Sequence, residues 1–119
     1  MPSYRIISLY SGSSGNSFLI MTDQAKLLID AGKSTRALTR ALGEVGVSLN
    51  EIDAVFITHD HHDHIGALPV LLKSCPLAVH AVEATAQVIT SELDEDLHHC
   101  LCRHTPLYSE TVGNVKVTS

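Results

Sequence analysis

The hydrophobic positions of the first thirty residues fall in short runs separated by polar segments. Residues 4–10, 18–22 and 26–30 have the length and the apolar content that are typical of strands. Asp23 and Gln24 favour a turn, so the second and third runs predict a β-hairpin. The serine- and glycine-rich residues 11–17 predict a loop between the first two strands.

From Ser34 onward the apolar spacing becomes helical. One face of this helix is made by Ala37, Leu38, Ala41, Leu42 and Val45. Residues 48–51 fit a capping box that opens one short turn, and residues 52–58 predict a buried strand.

The rest of the chain continues to alternate between helix and strand patterns. It predicts a helix at residues 65–73, with Pro69 in its first turn or interrupting it. A strand is predicted at 77–80, another helix at 82–93 and short β pieces at 98–119. Gly113 and Asn114 favour a hairpin turn within the last segment. The order of elements predicts a layered α/β (α+β) architecture.

Composition is that of one small globular domain. Of 119 residues, 45% are hydrophobic and 18% are charged, which excludes wholesale disorder, collagen and coiled coil. The net charge of −5 offers no basic field for nucleic acid or an anionic membrane. No signal peptide is evident, and no apolar run approaches the roughly 18 residues of a membrane span. Three cysteines without a secretory signal predict free thiols, so we expect a cytoplasmic protein without a membrane partner.

Residues 59–64 contain four histidines and two aspartates directly after the predicted buried strand. On extended backbone, residues two apart point the same way, so His59 and His61 should face one side together. A turn into the next helix brings Asp63 and His64 toward the same space. Imidazole nitrogens with a carboxylate suit zinc, iron or manganese, and two adjacent cations would activate a shared water for hydrolysis. The alternative is a solvated polar loop whose histidines are incidental.

The motif His59-x-His61-x-Asp63-His64 behind a hydrophobic strand resembles the metal-binding signature of the metallo-β-lactamase superfamily. Residues 28–32, Leu-Ile-Asp-Ala-Gly, are similar to that family's strand-Asp-Gly element. Residues 8–17 resemble the opening of its bacterial WalJ/YycJ-type branch, whose members are regarded as metal-dependent DNA exonucleases or phosphodiesterases.

This resemblance implies roles for five residues. His59 and His61 would bind the first divalent metal, and Asp63 and His64 the second, with Asp63 also orienting the nucleophilic water. Asp30 would support the site by accepting a hydrogen bond from a ligating histidine. The alternative for Asp30 is a strand-end aspartate that starts a turn. The loop at 11–17 would lie beside the active site, where its backbone N–H groups could bind a phosphate.

The same resemblance implies that the domain is partial. The family pattern needs a further histidine, a bridging aspartate and a last histidine downstream, and none follows in residues 65–119 in that pattern. The expectation is therefore that residues 1–119 form the N-terminal half of an αββα sandwich. One sheet face would then be exposed unless the C-terminal half or a partner covers it. Two metals are expected in the complete domain, and one or partial occupancy in this chain.

The expected function is a metal-dependent hydrolase, a phosphodiesterase or DNA exonuclease with nucleic acid as its substrate. The alternatives are hydrolysis of thioesters, lactones, β-lactams or RNA 3′ ends, a metal-binding module without turnover, and a purely structural role. Outside the loop, His80 is predicted to pack within a strand. A second zinc site among His98, His99, His104 and the nearby cysteines is the alternative to surface or structural roles.

Overall fold

Six strands form one mixed sheet whose spatial order follows the order of the chain. The computed structural model describes residues 4–12 and 15–118. The sheet contains β1 (Tyr4–Tyr10), β2 (Ser17–Thr22), β3 (Lys26–Ile29), β4 (Ala54–Phe56), β5 (Ala78–Val82) and β6 (Leu101–His104). The first three strands pair antiparallel, and β3 to β6 pair parallel. A separate antiparallel hairpin is formed by β7 (Ser109–Val112) and β8 (Val115–Thr118).

The helices connect the parallel strands. They are α1 (Thr35–Glu44), α2 (His62–Ile65), α3 (Leu68–Ser74) and α4 (Glu83–Glu92), with 3-10 turns at Leu49–Glu51 and Glu95–Cys100. Helix α1 begins after Ser34, whose hydroxyl accepts a hydrogen bond from the backbone N–H of Ala37 at 3.1 Å. Its apolar stripe buries Leu38 and Leu42 completely, as the sequence predicts.

The sheet has a helix layer on one face and the hairpin on the other. The helix-side core joins leucines of α1 and α3 to alternate residues of the strands, such as Leu28, Val55 and Val79. On the opposite face Leu27, Ala54 and Phe56 pack against valines of β7 and β8. The predicted layered α/β architecture is therefore confirmed.

The second face is covered only in part by the hairpin. Tyr4 and Ile6 on β1 are 71% and 62% exposed, although Ile6 pairs with Ile20, which packs beside the hairpin-side core. Burying such apolar surface is worth roughly 25 cal/mol per Å².

None of the helices within residues 4–12 and 15–118 has the length and apolar character needed to cross a membrane.

The structure decides the open alternative for Pro69 and corrects one other detail of the predicted elements. The helix expected at 65–73 is divided between α2 and α3, because the ring of Pro69 would clash with the carbonyl of Ile65, four residues earlier, in a continuous helix. Pro69 instead occupies the first turn of α3. Residues 98–100 end a 3-10 turn rather than forming a β piece, and Nε2 of His98 lies 3.0 Å from the Thr90 carbonyl at the end of α4.

Candidate metal centre

The predicted site lies where β3 and β4 end at the same edge of the sheet. Asp30 directly follows β3, and Thr58 follows β4 by two residues. The backbone of Asp30 is left-handed, with φ at 65°, a conformation that costs a non-glycine residue about 1–2 kcal/mol. Its N–H still donates to the Phe56 carbonyl at 2.8 Å. The chain thus bends sharply at Asp30 while remaining tied to the neighbouring strand.

The Asp30 carboxylate is buried and accepts three hydrogen bonds. Its Oδ1 accepts from the backbone N–H of Thr58 at 2.8 Å. Its Oδ2 lies 2.6 Å from the Thr58 hydroxyl and 2.7 Å from Nδ1 of His64. The hydroxyl in turn lies 2.9 Å from Nδ1 of His59. One carboxylate therefore contacts one histidine directly and a second through Thr58.

This network determines where the imidazole protons lie. A carboxylate only accepts, so Nδ1 of His64 and the Thr58 hydroxyl must both donate to Asp30. The hydroxyl has a single proton, which leaves it able only to accept from Nδ1–H of His59. In the neutral rings Nε2 of His59 and Nε2 of His64 then carry lone pairs. Those are the nitrogens available to bind a metal.

The four side chains predicted as metal ligands lie together. The rings of His59 and His61 have their centroids 6.1 Å apart, and those of His59 and His64 are 4.8 Å apart. Nε2 of His64 lies 3.4 Å from Oδ2 of Asp63. Two electron-rich atoms at that distance repel unless a cation or a proton compensates them, so this donor set fits a divalent cation. Asp63 and His64 belong to α2 rather than to the loop.

Asn16 and Gly32 position the backbone of Asp63, and the sequence patterns do not identify Asn16 individually. The Asn16 side-chain amide donates to Oδ2 of Asp63 at 3.1 Å, and its backbone N–H donates to the Asp63 carbonyl at 2.8 Å. A Cβ atom on Gly32 would lie 1.8 Å from that carbonyl oxygen, so only glycine fits. The predicted position of the 11–17 loop beside the site agrees with this contact. Ser13 and Ser14, central to the predicted phosphate contact, lie outside the described residues.

A cleft of about 410 Å³ opens beside this loop. Its wall includes Tyr10, whose hydroxyl donates to the Gly32 carbonyl at 2.8 Å, and the positively charged residues Lys33, Arg36 and Arg40. Burial raises the pKa of Tyr10 from 10.0 to about 12. The Lys33 ammonium lies 5.0 Å from the centroid of the Tyr10 ring, within the range of a cation–π contact.

The tightest group of potential metal ligands lies elsewhere. Within the part of the chain that the structure describes, one trio of histidine, cysteine or acidic residues has its ligand atoms all within 4.8 Å of one another. It consists of His80, His104 and Glu110. The histidine loop is more open, since His59 and His61 are exposed and Asp63 and His64 are half-buried.

Proteins with similar sequences include two that are named as nucleases. The chain is 43% identical over 81 residues to the exodeoxyribonuclease WalJ of Streptococcus pneumoniae, covering 68% of this chain and 30% of WalJ. It is 40% identical over 77 residues to the exodeoxyribonuclease YycJ of Bacillus anthracis, covering 65% and 29%. The resemblance to the WalJ/YycJ branch is thereby confirmed. The chain spans about a third of the length of these curated relatives.

Solved structures show the same fold. The crystal structure of MEM-A1, a subclass B3 metallo-beta-lactamase from a soil metagenome library, superposes with a TM-score of 0.78. Its sequence is 18% identical, and the match covers 98% of this chain and 50% of that one. The sequence profile of the metallo-beta-lactamase superfamily matches residues 10–97, about three quarters of the chain. The chain therefore belongs to the metallo-beta-lactamase superfamily.

Proposed function

We propose that this chain supplies the metal-binding loop of a metal-dependent nuclease that hydrolyses phosphodiester bonds in DNA. The observation that carries the proposal is the hydrogen-bond network of Asp30. It leaves Nε2 of both His59 and His64 with a lone pair, and Nε2 of His64 lies 3.4 Å from Oδ2 of Asp63. Lone pairs of this kind are what a metal site requires. The nuclease relatives support the type of reaction, because both are named as exodeoxyribonucleases.

Four residues would hold two divalent cations. His59 and His61 would bind the first, and Asp63 and His64 the second; the chemistry of the donors is compatible with zinc, manganese or iron. Such cations, when bound, lower the pKa of water and stabilise the charge that develops on a phosphate during hydrolysis.

The residues of this chain would orient the reacting groups. The side-chain amide of Asn16 donates a hydrogen bond to Oδ2 of Asp63, so the carboxylate is positioned before a substrate binds. A fixed carboxylate can accept a hydrogen bond from water and align it for attack, and removing that freedom of motion lowers the activation barrier. Asp30 and Thr58 keep the protons of His64 and His59 on Nδ1.

The basic cleft along α1 supports a polyanionic substrate. Three of the eight basic residues of this acidic chain, Lys33, Arg36 and Arg40, line it. Glu44 is also at its edge and pairs with Arg40 at 4.0 Å, an exposed contact that contributes little. Phosphate contacts from such residues bind a nucleic acid strand without reading its sequence. Simple lactones and β-lactams offer no comparable row of negative charges.

The test is hydrolysis of end-labelled single- and double-stranded DNA, in zinc or manganese, by the longest reading frame that contains this chain. Asp63→Asn should lower kcat by at least about 100-fold, since it removes a ligand and the group that aligns water. Asp60→Asn, the same substitution three residues away on an exposed side chain, is the control and should leave kcat within about twofold. Full activity of the Asp63→Asn protein would contradict the assignment.

A metal-binding module without turnover is the second candidate for the 119-residue chain by itself. The openness of the histidine loop favours it, because among the described residues the only trio of potential ligands within 4.8 Å lies outside this loop. Metal content measured together with a nuclease assay on this chain distinguishes the two. Metal without hydrolysis supports the silent module, and hydrolysis by the chain alone contradicts it.

A further inference from the structure

A second cluster of polar side chains lies on the hairpin side of the sheet. His80 is on β5, His104 is at the end of β6, and Glu110 is on β7 of the hairpin. His80 is buried, with 7% of its surface exposed, and the other two are half-buried. Three separate strands therefore direct potential ligands to one point.

The two imidazole rings are held by aromatic stacking. The His80 ring stacks on Phe56 at a centroid distance of 4.5 Å, and the His104 ring stacks on Tyr108 at 4.0 Å. The interplanar angles are 11° and 8°. Rings that already stack on a neighbouring side chain lose less freedom when they bind a ligand, so the cluster is partly preorganised.

The distances within the cluster approach those of a metal site. Nδ1 of His80 lies 2.9 Å from Nε2 of His104. The ring centroids are 5.2 Å apart, so the two nitrogens point almost directly at each other and share a proton. Two nitrogens bound tetrahedrally to zinc at 2.0–2.1 Å are about 3.3 Å apart, so the ion would replace that proton, and the rings would separate by about 0.4 Å and turn until both lone pairs face it. The carboxylate of Glu110 completes the trio, with all three ligand atoms within 4.8 Å of one another.

The charges of the cluster also favour a cation. Among the described residues, the ion pairs that lysine and arginine form involve other acidic groups and not Glu110. A half-buried carboxylate is costly unless a cation or hydrogen bonds compensate it.

We propose that His80, His104 and Glu110 form a second metal site, which binds one zinc ion between the sheet and the β7–β8 hairpin. The ion would take Nδ1 of His80, Nε2 of His104 and a carboxylate oxygen of Glu110 as ligands, with a fourth position open to water. It would tie the hairpin to the sheet, because two ligands belong to the sheet and one to the hairpin. The site consists of residues other than His59–His64, and it does not rest on the proposed function.

The experiment measures zinc binding by calorimetry and by metal analysis of the purified 119-residue chain. A background variant carrying His59→Asn, His61→Asn and Asp63→Asn removes ligands of the loop. We expect this background to retain one zinc ion per chain. Adding Glu110→Gln, which preserves size, should weaken zinc affinity by at least about tenfold, since losing even an outer partner of a metal ligand typically costs 10- to 100-fold.

His104→Asn in the same background should remove the zinc altogether. Circular dichroism of each variant without metal checks folding, and Glu110→Gln still tests the site if His104→Asn fails to fold. Glu51→Gln, on an exposed 3-10 turn remote in sequence from the cluster, is the matched control and should leave zinc affinity unchanged. Absence of bound zinc in the background variant, or undiminished affinity after Glu110→Gln, would overturn the proposal.

Discussion

Oδ2 of Asp30 lies 2.7 Å from Nδ1 of His64, although the two residues are 34 positions apart in the chain. The contact exists because β3 and β4 are parallel neighbours whose carboxyl ends meet at one edge of the sheet. The same carboxylate accepts a hydrogen bond from the Thr58 hydroxyl, which in turn contacts Nδ1 of His59. A single buried acidic group therefore sets the proton positions of two histidines. Asp30 is thus a positioning residue for both.

Replacing Asp30 tests this role directly. Asp30→Asn keeps the shape of the side chain but places N–H donors against the Thr58 hydroxyl or Nδ1 of His64. We expect the zinc affinity of the histidine loop to fall about 10- to 100-fold, measured by calorimetry in a Glu110→Gln background. Asp53→Asn is the control, because Asp53 also accepts a backbone N–H, from Lys26 at 2.9 Å, but has no histidine partner. Equal affinities of the two variants would contradict the role of Asp30.

Replacing Thr58 should change the tautomer of His59 more than that of His64. Thr58→Val removes the hydroxyl between Asp30 and His59 and leaves the direct contact of Asp30 with His64. We expect the neutral His59 ring to become a mixture of tautomers, visible in nitrogen-15 NMR of the imidazoles, while His64 stays protonated on Nδ1. Thr58→Ser retains the hydroxyl and should behave as the parent chain. A shift of both rings in Thr58→Val would show that Thr58 is not a specific link to His59.

Gly32 should tolerate no side chain. In Gly32→Ala the added Cβ would lie 1.8 Å from the Asp63 carbonyl oxygen and 2.7 Å from the Asn16 nitrogen. We expect a loss of about 1–3 kcal/mol in the free energy of unfolding, measured with urea, together with weaker metal binding. Gly43→Ala in α1 is the matched control, because among the described residues no atom other than those of its chain neighbours and the α1 backbone lies within 4 Å of its added Cβ. Gly43→Ala should raise the free energy of unfolding by about 0.5–1 kcal/mol. If Gly32→Ala left the free energy of unfolding unchanged, the loop would be able to shift away from the added Cβ.

Tyr10 makes stability sensitive to high pH. Its pKa is raised to about 12 by burial, so between pH 10 and 12 the folded chain keeps a proton that the unfolded chain releases. The free energy of unfolding should therefore fall as pH rises through this interval. Tyr10→Phe should flatten this fall and also remove the bond to the Gly32 carbonyl, worth about 1 kcal/mol at neutral pH.

Tyr4→Phe is the control for the alkaline transition, because it removes the same hydroxyl group from a side chain that is 71% exposed. Thermal unfolding followed by circular dichroism at several pH values makes the comparison. An unchanged alkaline slope in Tyr10→Phe would contradict the assignment of the transition to this hydroxyl.

The basic cleft should bind DNA through phosphates. Arg36→Gln and Arg40→Gln should each weaken binding of a single-stranded oligonucleotide, measured by fluorescence anisotropy. Each lost phosphate contact should reduce the slope of log affinity against log salt by about 0.7. Lys73→Gln is the control, since Lys73 is at the end of α3 and pairs with Asp94 at 3.2 Å. If Lys73→Gln weakened oligonucleotide binding equally, the binding would depend on the overall charge of the protein and not on the cleft.

The sequence singles out the histidine loop because its candidate ligands lie within six consecutive residues. The hydrophobic runs likewise place the strands, since alternation and length are local properties. The contact of Asn16 with Asp63 is different, because it joins residues 47 positions apart and depends on how two loops meet. The serine- and glycine-rich composition indicates a loop there, but it does not show which side chain reaches the carboxylate.

The cluster of His80, His104 and Glu110 is also hidden in the sequence. His80 and His104 are 24 positions apart, and an isolated histidine in an apolar run is typical of a packed strand residue. Only the parallel pairing of β5 with β6, and the folding of the hairpin over them, brings the three side chains together. The roles of His59, His61, Asp63, His64 and Asp30 stay predictions until metal binding is measured.

The coincidence of strand order with chain order has a consequence for synthesis on the ribosome. Each strand from β2 to β6 pairs with the strand made immediately before it, so the emerging chain never has to wait for a distant segment to complete a ladder. The sheet can therefore grow vectorially, one strand at a time, with its helix-side face covered as the helices after β3, β4 and β5 follow. The hairpin is made after β6 and closes over a sheet that already exists.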